Sequence, residues 1–288
     1  MNFFDNNHYN IDISDFKVLD AGFDMLLIPK NYSKIHRKYL KASLLTVSMG
    51  NTSVDHILKK YSEEFDNSFI EESNSTEKLI DEILTYSKLH VNELNNRLKK
   101  LDLSNGGIKI IASHAIFLRL NASFKAVNYL IKFGVYFESF SILRLIFEQL
   151  AFSYSISISD GDPDNFKSPT KAISDLKKYL KYAGKLYGVL SKATHIDRST
   201  INEYLKIKED MNHVVLNSTD YSLKACNHLL LIIDALECIF EFVFFDYMQD
   251  IKYLNLENKE PIGKDRETAV NYRKFYKKIV EESNKTIG

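Results

Sequence analysis

Residues 139–156 read SFSILRLIFEQLAFSYSI, and the way this stretch folds decides the class of the whole chain. It is apolar almost all round, holds neither Gly nor Pro, and carries only two charges, Arg144 and Glu148. A run so long and so evenly apolar exceeds an ordinary strand, which points to a buried helix from about Glu138 to Ile158. A helix turns about 100° per residue, so Arg144 and Glu148, four apart, share one face. Charges set in so apolar a helix must be paired or placed at a site.

A second segment, Leu176 to His195, also reads as one helix and ends in YGVLSKATH. Tyr187, Ser191 and His195 recur there at steps of four and share a face if the helix runs to His195. Arg144, Glu148, Tyr187, Ser191 and His195 therefore form the candidate site. In it Arg144 faces an anion, and Glu148 orients the planar fork of its guanidinium. His195, at a helix C-terminus, is placed where a protonated imidazole is favoured. Arg119, in FLRLNASF, is another charge in an apolar setting. It is a candidate binding residue, with His114 five positions before it. The plainer readings stay open: an intrahelical Arg144–Glu148 ion pair, and a His195 that caps carbonyls.

Working outward, the apolar spacing predicts helices over Tyr32–Met49, Val54–Ile70, Thr76–Leu101 and Ile108–Phe133, the last stopped by Gly134. Asn74 and Glu77 suit a capping box. Residues 1 to about 30 alternate short apolar clusters with polar residues, as an irregular arm or a short strand pair would. Pro169 suits a helix start after the polar loop SDGDPDNFKSP. Beyond His195, Ser199 or Thr200 caps a short helix to about Met211. The longest helix follows, Asp220–Met248, and a basic helix, Glu267–Ile279, ends the chain. Gly and Pro separate helices rather than strands, so the expected fold is an all-α helical bundle. Its core spans 75–248, with an N-terminal arm and helices over 1–74 and a C-terminal tail helix over 249–288.

Composition narrows the function. With Lys+Arg and Asp+Glu both at 38, the chain lacks the bulk basicity of a general nucleic-acid coat protein. No glycine-rich phosphate loop, H-E-x-x-H, paired Cys/His pattern or G-x-S-x-G elbow occurs, so neither a metal nor a cofactor is expected. Cys226 and Cys238 lie about 18 Å apart along a helix, too far for a disulfide, and read as buried thiols of a cytoplasmic protein. The run LLLIIDALECIFEFVFF, 229–245, is interrupted by Asp234, Glu237 and Glu241. That makes it a core helix rather than a membrane span. The three acids fall on one face and read as a solvated stripe; a metal-dependent carboxylate site is the lesser alternative.

Between Phe117 and His195 the chain resembles a bacterial helical family of unknown function. The shared elements are Arg119, the turn Gly134 to Glu138, the run Leu143-Arg144-Leu145-Ile146-Phe147-Glu148, and Tyr187-x-x-Leu190-Ser191-x-x-x-His195. That family is loosely similar to the HEPN helical bundles of prokaryotic toxins and phage-defence proteins. The resemblance implies a defence- or stress-associated protein and a metal-independent ribonuclease with a His/Arg site, acting on RNA. HEPN ribonucleases carry R-x(4–6)-H on one helix; here that order is absent, and Arg144 and His195 have to stand in for it from separate helices. The rival expectation is a non-catalytic binding or oligomerisation module. Its Arg/Glu/His cluster is structural or holds a small anionic ligand, and its expected partner is a second copy of the chain, with no membrane.

Overall fold

A computed structural model of the chain describes residues 15–21, 24–50, 52–63, 65, 75–159, 168–195, 201, 205–208, 211–214 and 218–287. The fold is all-α, with two small antiparallel ribbons among the described residues. The chain divides into two compact units, Met1–Asp81 and Glu82–Gly288. The boundary thus falls after 81 rather than after 74, and residues 249–288 belong to the same unit as the main bundle.

In the first unit, strands β1 (Phe16–Ala21) and β2 (Asp24–Pro29) pair antiparallel, from Phe16 opposite Pro29 to Ala21 opposite Asp24. Of the two readings of this region, the strand pair is the one formed. Helix α1 (Lys34–Met49) starts where Ser33 Oγ accepts from the His36 amide at 3.2 Å, and stops at Gly50, whose φ is 58°. Helix α2 (Val54–Lys60) is capped likewise by Ser53. It ends at Lys60, with Tyr61 as its C-cap; of the rest of the stretch expected to reach Ile70, residues 62, 63 and 65 are helical and residues 64 and 66–70 lie outside the described residues. Ala42, Ile57 and Phe65 form this unit's apolar cluster.

Helix α3 (Ser75–Leu98) crosses the boundary between the units; Asn74, its expected cap, lies outside the described residues. The second unit continues through α4 (Ile108–Phe133), α5 (Tyr136–Ser157), α6 (Pro169–Tyr179), α7 (Ala183–Thr194), α8 (Thr219–Val243) and α9 (Glu267–Ile287). Helix α5 is the hub, packed against α4, α6, α7 and α8. Four neighbours cover most of it and leave a narrow exposed edge at Glu138, Ser141 and Leu145, which explains why its sequence is apolar nearly all round. Two aromatic trios tie the layers together. Phe117 of α4 meets Phe240 of α8 and the following Phe244 at 5.4 and 5.6 Å, and Tyr154 of α5 stacks on Tyr179 of α6 at 4.8 Å, both against Phe242. Among the described residues, no helix is long and apolar enough to cross a membrane.

The structure corrects two expectations. Leu176–His195 is not one helix: α6 ends at Tyr179, Leu180 is extended (φ −110°, ψ 102°), and α7 begins at Ala183. Leu176, Leu180, Ala183 and Leu186 are all buried, and just after the break Tyr182 reaches Asp234 at 2.9 Å. Of the helix expected to Met211, Ile201 is helical and the caps Ser199 and Thr200 lie outside the described residues, while from Leu205 on the chain forms a hairpin instead, β3 (Leu205–Lys208) with β4 (Met211–Val214). LKIK alternates apolar and charged residues with the period of two that a strand requires.

Gly134 ends α4 in the left-handed region (φ 72°), and its carbonyl accepts from the Ser218 amide at 3.1 Å, at the N-cap of α8. A Cβ there would lie 2.8 Å from the Ser218 carbonyl oxygen. Gly134→Ala is therefore expected to cost about 2–4 kcal/mol in urea denaturation, from backbone strain plus overlap. Gly188→Ala is the control: a Cβ there meets nothing within 4 Å, and the change should be neutral or stabilising by about 1 kcal/mol. Equal effects at the two sites would show that the close approach at Gly134 does not exist.

Candidate functional site

Arg144 sits in the middle of α5 and reaches across to α7. Its Nε donates to Glu148 Oε1 at 2.9 Å, its Nη1 to Thr194 Oγ1 at 2.8 Å and its Nη2 to the Tyr187 hydroxyl at 3.2 Å. The Tyr187 hydroxyl in turn donates to Glu148 Oε1 at 3.1 Å, and the guanidinium lies 5.4 Å from the Tyr187 ring centre. Thr194 is held in place by its own bond to the Ser191 carbonyl at 2.9 Å. Burial works against the Arg144 charge, but Glu148 and Tyr187 outweigh it and raise its pKa. The pair is only half buried, with side chains 26% and 20% exposed. A guanidinium has five N–H donors, so two remain beyond the three bonds to protein.

Of the predicted site residues, the structure brings together Arg144, Glu148 and Tyr187. Ser191 contributes through its carbonyl, by way of Thr194. His195 is not a continuation of the helical face: it is the exposed C-cap of α7, with extended backbone (φ −100°, ψ 126°). Arg119 is exposed on α4 and His114 is half-buried. Among the described residues, neither makes a hydrogen bond or ion pair with the Arg144 cluster. Thr194 is the member that sequence reasoning missed, since a threonine in a helix gives no periodic signal of its own.

A second polar system lies along α8, and it overturns the solvated stripe. Asp234, Glu237 and Glu241 are buried, at 3%, 1% and 0% exposure. Asp234 takes a two-pronged bond from Arg266 (Nε at 2.7 Å, Nη2 at 2.6 Å), and also accepts from Thr268 and Tyr182. Glu237 meets His90 Nδ1 at 2.7 Å and Arg97 at 3.4 Å. Burial pushes its pKa up, against the pull of His90 and Arg97. Glu241 accepts from Arg97 at 2.5 Å and from the backbone amides of Lys252 and Tyr253 at 2.9 and 2.7 Å. The periodicity was right about a shared face; the environment of that face is protein, because α3, α9 and the loop after α8 bring cations and amides to it.

Between α7, α8 and α9 lies a cleft of about 480 Å³, whose lining includes Lys185, Asn227, His228, Tyr272 and Tyr276. The His228 Nδ1 lies 2.7 Å from the Lys224 carbonyl oxygen, so it must carry the proton and donate. Burial holds the His228 pKa below its usual value. No protein-family model, no curated protein and no solved structure matches the chain, so these sites are read from their own geometry.

Two outcomes follow. Glu241→Gln turns an amide N–H₂ toward the Lys252 and Tyr253 amides and leaves Arg97 short of a charge partner. It should cost about 3–5 kcal/mol in urea denaturation; a loss near zero would mean that this carboxylate does not anchor the loop. For His228 the folded pKa is depressed, so below the unfolded value of 6.5 the unfolded chain binds more protons. Its contribution to stability is complete above pH 6.5 and is lost as pH falls toward the folded value. Thermal melts between pH 7.5 and 5.5 should show a decline that His228→Phe makes shallower.

Proposed function

We propose that this protein is a non-catalytic helical binding module, in which Arg144, Glu148, Tyr187 and Thr194 form a clasp that fixes α7 on α5. The observation that carries this reading is the commitment of the guanidinium. Its Nε, Nη1 and Nη2 each donate to a protein oxygen, and Glu148 neutralises its charge within the same helix. A catalytic arginine must exchange such partners for a reacting phosphate, which weakens its electrostatic contribution.

A second reading is a HEPN-like, defence- or stress-associated, metal-independent ribonuclease. One contact favours it: the residue that receives Arg144 Nη1 is Thr194, the neighbour of His195. In this reading His195 exchanges a proton with the ribose hydroxyl or the leaving oxygen. Arg144 stabilises charge building on the phosphate through its two remaining N–H donors, Glu148 positions it, and Tyr187 and Ser191 supply hydrogen bonds.

One experiment separates the two. On the clasp reading, Arg144→Ala lowers stability by about 1–3 kcal/mol, discounted for half exposure. His195→Ala, at the exposed C-cap of α7, costs less than Arg144→Ala, and purified protein in EDTA leaves RNA intact. RNA cleavage that both substitutions abolish would replace the clasp with the ribonuclease. Cleavage equal in all three proteins would belong to a contaminant.

A further inference from the structure

Helix α4 has an outer face whose chemistry is the same whether the Arg144 cluster is a clasp or a catalyst. Its inner face, with Phe117, Leu120, Phe124, Val127 and Ile131, is buried against the bundle. At about 100° per residue, its exposed positions all fall in one arc of about 120°. In that arc Ile108, Ile111, Leu118 and Tyr129 are 54%, 54%, 48% and 42% exposed, and the positions between them, Ala115, Ala122 and Ala126, are exposed as well. The strip they form runs about 32 Å along the helix.

The outer side of a surface helix normally carries its charges. Here that side is apolar, and its two charged residues mark its margins: Lys125 stands on one edge of the arc and Arg119 on the other. Both are exposed, and among the described residues neither makes a hydrogen bond or an ion pair. No acid stands near them in sequence. From Leu103 to Phe137 the chain holds Lys109, Arg119, Lys125 and Lys132 but neither Asp nor Glu, although acids and bases are equal in number over the whole chain. Lys109 is engaged by the Ser159 carbonyl.

An apolar strip with cations on both margins calls for an occupant that is apolar within and negative at its edge. A second copy of the chain fails the second requirement, because it crowds the cations of two α4 helices together with no acid on either to receive them. A bilayer with anionic headgroups meets both. The strip reaches the boundary between headgroups and acyl chains, and Arg119 and Lys125 lay their stems along it and leave their charged ends among the phosphates. A tyrosine such as Tyr129 suits the same boundary, apolar in its ring and polar at its tip. Among the described residues no helix is long and apolar enough to cross a membrane, so the contact lies on the surface. We propose that the outer face of α4 docks the protein on an anionic membrane surface.

Flotation of the full chain with phosphatidylcholine vesicles containing about one-third phosphatidylserine, against pure phosphatidylcholine, tests this. The expected result is recovery with the anionic vesicles, binding to the neutral ones weaker by about tenfold, and release as salt is raised. Arg119→Gln combined with Lys125→Gln should weaken binding to the anionic vesicles by about tenfold. Leu118→Ser, which keeps both cations, should weaken it by about fivefold. As the control, Lys274→Gln combined with Lys277→Gln removes the same charge from exposed positions of α9 and should leave binding within about twofold. Thermal melts without lipid establish that each variant is folded. No recovery with anionic vesicles, equal recovery with neutral ones, or equal losses from the α4 and α9 pairs would each overturn the assignment. A chain that is dimeric without lipid and monomeric as Leu118→Ser would give the face to a second copy instead.

Discussion

Three carboxylates on one buried face of a single helix set the terms for the rest of the second unit. An ionised carboxylate taken out of water without compensation is costly enough that the fold cannot keep it there. Helix α8 carries three, Asp234, Glu237 and Glu241, in a second half that is otherwise apolar and mostly buried. Each must be met by a cation or by several N–H donors, and between them they draw on three separate parts of the chain. Arg266 and Thr268 come from the start of α9, His90 and Arg97 from α3, and the Lys252 and Tyr253 amides from the loop after α8. These bonds are directional, so they fix where α3, that loop and α9 lie along α8. Apolar packing alone would tolerate a slide by a turn. A buried ion pair is often no more stable than an apolar substitute, so the row contributes placement more than stability.

That placement creates the walls of the cleft. Arg266, held by Asp234, starts α9 at a fixed point, and Tyr272 and Tyr276 follow on the same side. Tyr182 bonds to Asp234 and to the Leu231 carbonyl, and this sets the entry of α7, directly after the break at Leu180. Helix α7 is thereby held from two sides, to α8 through Tyr182 at its start and to α5 through Tyr187 and Thr194 further along. A single unbroken helix from Leu176 to His195 would hold Tyr182 in register with α6 and lose one of the two attachments.

The sequence shows what is local. Ile108–Phe133 was legible to the residue because its apolar spacing ends in a glycine that adopts φ 72°, and the Arg144–Glu148 contact follows from a spacing of four within one helix. Strand β3, LKIK, carries period-two alternation, but its polar flanks and a plausible cap pointed to a helix, whereas FKVLDA, DMLLIP and MNHV carry no such alternation. What the sequence hides is the identity of the facing element. Periodicity placed Asp234, Glu237 and Glu241 on one face correctly and could not say whether water or protein stood opposite. The partner of Glu241 is 144 residues away at Arg97, and no local pattern links the two. Thr194 and His228 escaped for the same reason, each acquiring its meaning only from a neighbour brought up by the fold.

Among the described residues of the second unit, the carboxylate partnerships of Arg97, Arg144 and Arg266 are not equivalent. The Arg97 and Arg266 side chains are 13% and 14% exposed, against carboxylates at 0% and 4%; their bonds are locked in the interior, where an exchange of partner would strand a buried charge. Arg144 and Glu148, at 26% and 20%, stand where water can replace either partner. Of the three, theirs is the pair that can open and re-form at low cost. Both kinds of pair set the position of a helix, but by different means: the α8 row fixes its neighbours with bonds locked in the interior, whereas the Arg144 clasp holds α7 on α5 with bonds that water can reach.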